Sequence, residues 1–235
     1  LKIRIKFEKQ GLLRFVGHLD LMRYFQKAIR RADIPIRYSE GFSPHQIMSF
    51  AAPLGMGIEG TGEYMDIETR DEEQQMLSSH SCIDRLNAQM AEGMRILKYL
   101  QIPQETENAM ASVHSADYRI LFPDPLSEND FSMLKADLKN LLEQSVLISG
   151  KKTKNGDKEI NIRPLIFELN VRENGLFMNI AQGSEANLKP GMLTDVLRKQ
   201  GTHSSVIFAS PFRIVRTEIY DKMHKELDTY GRELL

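Results

Sequence analysis

Gly17-His18-Leu19-Asp20-Leu21-Met22-Arg23-Tyr24-Phe25-Gln26-Lys27-Ala28-Ile29-Arg30-Arg31-Ala32 is the stretch on which the reading of the fold turns. Leu21, Met22, Phe25, Ala28, Ile29 and Ala32 recur at the spacing of one helical face. Arg23, Lys27, Arg30 and Arg31 fall on the opposite face, so the spacing predicts an amphipathic helix over 21–32 with a basic outer side. Asp20 or His18 stands where a side-chain acceptor can cap the first free N–H groups, and Pro35 ends the helix.

The flanks of this helix read as extended. Before it, Lys2-Ile3-Arg4-Ile5-Lys6-Phe7 alternates basic and apolar residues, the period of a half-buried strand with a cationic outer side. After it, 36–39 and 46–51 read as two short strands around Gly41-Phe42-Ser43-Pro44. A connection rich in glycine (Gly55, Gly57, Gly60, Gly62) leads to the alternating strand Glu63–Glu68. Residues 72–90 are helical in pattern, with Met76, Ile83, Leu86 and Met90 as core positions, and 94–102 is a last strand. The order is β-α-β-β-α-β, that of a ferredoxin-like unit.

The second half repeats that order in pattern rather than in residue identity. Residues 103–110 are polar and aperiodic. A strand follows over 114–122, then a helix capped by Ser127 or Asn129 and striped with Phe131, Leu134, Leu138 and Leu141. Asn155-Gly156 marks a hairpin tip, and Pro164 makes the extended run 158–171 an edge or bulged strand. A strand over 176–181, a helix over 191–200 and a strand over 205–217 complete the order. The expected fold class is therefore α+β, with two tandem ferredoxin-like units over 1–105 and 112–217 and a polar C-terminal tail over 218–235.

Composition narrows the function classes. The chain has 235 residues, 41% hydrophobic and 27% charged, the balance of a globular chain. Its apolar runs fall short of a membrane span, and no charged start followed by an apolar core appears, so neither a membrane anchor nor a secretory leader is expected. Cys82 is the only cysteine, which excludes an internal disulfide and makes the cytoplasm the expected compartment. One thiol also cannot hold a four-cysteine iron–sulfur cluster or a cysteine-rich zinc site. The phosphate loop G-x-x-x-x-G-K-[ST], H-E-x-x-H and G-x-S-x-G are all absent from the sequence. No metal site and no cofactor of its own are expected for this chain.

Charge is segregated along the chain. Residues 1–37 hold ten Lys and Arg against Glu8, Asp20 and Asp33, a net of +7. Residues 59–85 hold eight Asp and Glu against Arg70 and Arg85, a net of −6. Such asymmetry suggests one positive and one negative face, unless folding interleaves the two. The cations Lys2, Arg4, Arg23, Lys27, Arg30 and Arg31 could follow a phosphate backbone. Lys151, Lys152, Lys154 and Lys158 make a cationic finger around the 155–156 turn. The ordinary reading of either set is a solvated surface. His18, Asp20 and His45 supply imidazole and carboxylate, the materials of proton transfer or metal binding. Their ordinary reading is a helix cap and two histidines bonded to backbone.

Several short motifs occur in one order: Gly17-His18-Leu19-Asp20, Arg30-Arg31, Tyr38-Ser39-Glu40-Gly41-Phe42-Ser43-Pro44-His45, Ser49-Phe50-Ala51 and Lys158-Glu159-Ile160-Asn161-Ile162-Arg163-Pro164. Together they resemble the radical SAM-linked protein family, a domain family of unknown function, from about residue 2 to about 217. Family members usually carry serine before His-Leu-Asp and Asn-Pro-His-Pro in the second motif; Gly17 and Ser43-Pro44-His45-Gln46 depart from that. The resemblance marks Ser39, Gly41, Phe42 and Pro44 as motif positions, and Arg163 of the last motif joins the candidate nucleic-acid-binding cations. It implies a radical SAM protein as partner, which would bind SAM and an iron–sulfur cluster, and a neighbourhood of ribonuclease and ribosomal components. The resulting expectation is a cytoplasmic accessory protein contacting RNA or a ribonucleoprotein. Two alternatives stay open: an RNA-processing or RNA-modifying enzyme using His18, Asp20 and His45, and a protein-interaction module without nucleic acid.

Overall fold

Alternation at the start of the chain builds the first strand and sorts its two faces. The computed structural model describes residues 1–153, 156–172 and 175–235, with the side chains of 151–158 outside that description. In it β1 spans Lys2–Lys9, and Ile3, Ile5 and Phe7 are buried in the core. A short 3-10 turn, Gly11–Phe15, leads into α1, His18–Arg31. α1 starts before the apolar stripe does, because the Gly17 carbonyl already accepts the Leu21 N–H at 2.9 Å. Gly17 is the N-cap and no side chain caps it, so neither Asp20 nor His18 has the expected capping role.

The rest of this unit is β2 Met48–Phe50, β3 Ile58–Glu68, α2 Asp71–Gln74, α3 Ser79–Asn87, β4 Met94–Ile102 and α4 Ala109–Ser112. β1 lies between β3 and β4, antiparallel to both, and β2 pairs antiparallel with the far end of β3. That arrangement is compatible with a ferredoxin-like unit. The single helix expected over 72–90 is two helices instead. Ser78 accepts the Ser81 N–H at 3.2 Å and restarts the helix there, which leaves Met76 exposed rather than in the core. Gly60 and Gly62, expected in the connection before the strand, lie within β3, and a Cβ at Gly62 would strike the Thr217 carbonyl.

The core between the β1 face and the helices is built on Phe7, Phe25 and Phe50, edge-to-face at 4.9 Å (Phe7–Phe25), 5.6 Å (Phe25–Phe50) and 5.9 Å (Phe7–Phe50). α1 adds Leu21, Ala28 and Ile29, and α3 adds Cys82 and Leu86. Burial pushes the Cys82 thiol pKa up.

The opposite face of β1 differs from the expectation. It is not a solvated cationic surface. Arg4 is 1% exposed and pairs with Asp66. Lys6 meets Glu218 at 2.6 Å and Asp228 at 3.2 Å. Burial alone would lower the Lys6 pKa, but Glu218 and Asp228 together outweigh it and raise it. Burial raises the Glu218 pKa against the pull of Lys6 and of the Tyr64 hydroxyl, which donates to it at 2.6 Å. The acidic residues that neutralise β1 come from far along the chain, which is why composition by segment misjudged this face.

The second unit holds β5 Ser115–Leu121, α5 Glu128–Leu142, β6 Ile148–Thr153, β7 Gly156–Asn161, β8 Ile166–Arg172, β9 Gly175–Ala181, α6 Pro190–Gln200 and α7 Ser204–Ile207. α5 is capped by Ser127, which accepts the Asp130 N–H. β9 pairs antiparallel with β5 and with β8. β6 and β7 form a separate hairpin; Asn155 of the expected 155–156 turn lies outside the described residues. The extended run expected over 158–171 is broken by a 3-10 turn, Arg163–Leu165, that contains Pro164. The strand expected from 205 starts only with β10, Arg213–Tyr220. Residues 204–207 turn into α7 because the Asp137 carboxylate accepts the N–H groups of His203 and Ser204, both at 2.8 Å.

The unit boundary falls between His114 and Ser115, not at 103–112, and residues from Arg216 onward belong to the first unit. Residues 218–235, expected as a polar tail, are packed there: Leu227 is fully buried, and Arg232 and Gln101 exchange both backbone hydrogen bonds at 2.8 and 2.9 Å. The fold is α+β. Among the described residues no helix is long and apolar enough to cross a membrane.

Candidate functional site

The Tyr38–Gln46 loop is held against α1 by a few specific bonds. Tyr38 and Gln46 form an isolated antiparallel bridge at its base. The Ser39 N–H donates to the His45 carbonyl at 2.8 Å, and the Ser39 hydroxyl accepts the His45 N–H at 3.1 Å while standing 2.8 Å from His45 Nδ1. Gly41 has φ +109°, a conformation that favours glycine, and it turns the tip so that Phe42 stands wholly exposed. Gln46 ties the loop to the helix: its Nε2 donates to the Gln26 carbonyl at 3.2 Å and to the Tyr38 hydroxyl at 3.4 Å.

Between loop and helix lies a shallow pocket of about 320 Å³, lined by Arg23, Gln26, Lys27, Arg30, Tyr38, Pro44, His45 and Gln46. Three cations reach it from successive turns of α1. Arg23 shares its charge with Asp20 at 3.4 Å, both groups 70% exposed, which neutralises little. Lys27 and Arg30 have no ion-pair partner among the described residues. Gln46 is 7% exposed, and its Oε1 is buried without a hydrogen-bond partner. The arrangement can hold an anion on its cations, stack a flat group on Tyr38 or Phe42, and offer the His45 ring for hydrogen bonding.

The predicted acid/base trio divides. His45 lines this pocket, Asp20 pairs with Arg23 on exposed helix, and His18 packs edge-on against Phe50 with ring centroids 5.3 Å apart, its Nδ1 buried and unpartnered. Among the described residues no group of three or more His, Cys, Asp and Glu could hold a metal ion.

The predicted cations divide too. Lys2 is half-buried and donates to the Thr106 carbonyl, and Arg4 is buried, so neither joins the pocket. Arg31 turns from the pocket to Gln89, with Nε 3.2 Å from its Oε1. Arg163 holds the Leu142 carbonyl at 3.1 Å, a structural contact. Lys151, Lys152 and Lys158 lie on β6 and β7 with side chains outside the description, and Lys154 lies outside the described residues. Sequence reasoning missed Gln26, Tyr38 and Gln46 as lining residues. Tyr38 opens the quoted motif and Gln46 directly follows it, which is the one signal that pointed to them.

A family described as "Uncharacterized protein conserved in bacteria (DUF2344)" matches residues 2–190. The chain belongs to this family. The DUF2344 match takes in α1 and the whole Tyr38–Gln46 loop, and it ends at the first residue of α6. No curated protein matches the chain. Among solved structures, a chain of the one titled "Crystal Structure of a Cbf5-Nop10-Gar1 Complex" is similar at TM-score 0.38 and 8% identity, over 94% of this chain and 50% of that chain. This chain thus spans about half the length of that relative.

Proposed function

We propose that the protein is an accessory chain of a radical SAM protein and contacts RNA through the pocket between α1 and the Tyr38–Gln46 loop. The observation that carries the RNA contact is the pairing of Lys27 and Arg30, outward and without carboxylate partners, with the exposed rings of Tyr38 and Phe42. Other cations of the N-terminal segment are neutralised or bonded inside: Arg4 by Asp66, Lys6 by Glu218, and Lys9 by donation to the Val16 carbonyl at 2.8 Å. The outward charge is therefore concentrated on one helix face beside two aromatic rings, the combination that single-stranded RNA needs for its phosphates and bases.

The radical SAM partner is supported by the motif resemblance alone. That partner would carry the SAM and the iron–sulfur cluster, and this chain would position RNA or a ribonucleoprotein for it. The enzyme reading gains less support, because His18 and His45 have different neighbours.

Filter-binding titrations with single-stranded RNA at several salt concentrations test the RNA contact. Saturable binding at low salt that weakens as salt rises is expected. Absence of saturable binding at low salt overturns it in favour of a protein-interaction module. Co-purification of the radical SAM protein from nuclease-treated and untreated lysates tests the partner separately.

A further inference from the structure

β8 is an outer strand: among the described residues it pairs with β9 and with no other strand. Native sheets commonly guard such edges with bulges and charges. Here the guard covers only the start of the strand. The register with β9 shifts between Ile166 and Glu168, then runs without interruption from Glu168 to Arg172. The hairpin β6–β7 does not pair with this edge and is tied to α6 instead, where the Ser149 hydroxyl donates to the Met192 carbonyl at 3.3 Å.

The five uninterrupted residues, Glu168-Leu169-Asn170-Val171-Arg172, are complementary to themselves when reversed. An antiparallel copy centred on Asn170 sets Glu168 opposite Arg172 of the copy and Leu169 opposite Val171 of the copy. Both faces match. Glu168, Asn170 and Arg172 are exposed on one, while Leu169 is 4% exposed and Val171 half-buried on the other. Cross-strand pairs of opposite charge and of branched aliphatics both stabilise a sheet. Shifting the register by one residue sets charges against aliphatics, and shifting it by two removes both charge pairs.

We propose that the chain forms a two-fold dimer by antiparallel pairing of β8 with β8 of a second copy, centred on Asn170. Within one copy Glu168 and Arg172 pair with each other at 2.9 Å, both about half exposed, so exchanging partners sacrifices little. Arg172 also lies over the Phe177 ring at 4.0 Å, which holds it on the exposed face. Beside the edge a groove of about 780 Å³ runs between α5 and Leu169–Arg172, with Leu138, Leu142 and Val171 among its lining; the second copy would shield these apolar groups from water. The exposed Lys135 and Lys139 at its rim could instead favour an acidic peptide, which the test separates.

Sedimentation equilibrium and light scattering of the full chain through the micromolar range test the dimer. A wild-type dimer is expected. E168R and R172E each place like charges opposite one another at two symmetric positions, which should weaken the dimer by roughly tenfold to a hundredfold. Mixing the two variants should restore association as a heterodimer, and the double variant E168R/R172E should dimerise alone. Far-UV circular dichroism checks that each variant is folded, and the double variant keeps the test valid if a single one is not. A wild type that stays monomeric overturns the proposal, including one that binds an acidic peptide. So does a dimer that neither charge reversal affects, or a pair of variants that does not reassociate on mixing.

Discussion

Arg4 on β1 and Asp66 on β3 stand directly opposite in the antiparallel register and meet in a two-pronged ion pair, Nε to Oδ1 at 2.8 Å and the second guanidinium nitrogen to Oδ2 at 2.9 Å. The pair also gathers backbone. Asp66 accepts the Ala109 N–H at 2.7 Å, and Arg4 donates to the carbonyls of Leu227 at 2.9 Å and Glu107 at 3.1 Å. One buried pair thereby links two strands, the segment before α4 and the chain's end. Asp66→Ala leaves the guanidinium buried without a counter-charge and should cost about 3–5 kcal/mol in urea unfolding. Arg4→Met with Asp66→Leu removes both charges and should cost much less than the single change. Equal losses in the single and double variants would show that packing, not charge, dominates the site.

Acid should destabilise the fold through identified carboxylates. For Asp228, burial raises the pKa, but the Lys98 ammonium at 2.7 Å and Lys6 outweigh it and hold it below the usual 3.8. Asp221 is likewise lowered against burial by the Tyr230 hydroxyl and the N–H groups of Lys225 and Met223. A carboxyl whose folded pKa is depressed contributes stability that is present above its unfolded pKa and lost as pH falls through the folded one. Glu218 has the opposite sign: its raised pKa favours the fold at low pH and loses that contribution as pH rises through the folded value. The expected outcome is a fall in urea midpoint below about pH 4, an ordinary aspartate value. Asp228→Asn should flatten that fall. An unchanged acid limb in this variant would shift the cause to other carboxylates.

Much of the local structure was legible because it depends on near neighbours. The alternation of Ile3, Ile5 and Phe7 and the stripe of Leu21, Phe25, Ala28 and Ile29 fix which faces are buried. The fate of Arg4 and Lys6 was not legible, since Asp66, Glu218 and Asp228 lie 62 to 222 residues away in sequence. The same limit applies to α7, whose position depends on Asp137 in another helix. At the candidate site, His45 and the α1 cations were visible from residue type and spacing. Gln46 was not, because nothing in its neighbours predicts that its amide reaches the Gln26 carbonyl.

Asp137 offers a local test of that reasoning. Its Oδ2 also accepts the Ser204 hydroxyl at 3.0 Å, so one oxygen serves three donors from one turn. Burial raises its pKa, and these bonds, with Ser204 first, bring it below the usual value. Asp137→Ala leaves the donors unsatisfied and should destabilise by roughly 1–3 kcal/mol. Amide exchange at His203 and Ser204 should accelerate more than at the β9 core residues. Uniform acceleration across β9 and α7 would mean that Asp137 supports the whole unit rather than this turn.

Arg23, Lys27 and Arg30 should act on RNA through charge, and Phe42 through stacking, and salt separates the two. Each phosphate contact to a single strand contributes about 0.7 to the slope of log affinity against log salt. Changing all three cations to glutamine should therefore lower the slope by about 2 and weaken binding across RNA sequences. Their side chains lie opposite the apolar stripe of α1, so stability should move by no more than about 0.5 kcal/mol. Arg31→Gln, which alters a side chain bonded to Gln89 outside the pocket, should leave the slope nearly unchanged. Phe42→Ala should cost roughly 1–3 kcal/mol of binding if a base stacks there, with the slope preserved. Filter binding at four or more salt concentrations measures both quantities for every variant. A glutamine triple that keeps the wild-type slope would move the RNA contact away from α1, whatever the affinity at a single salt concentration.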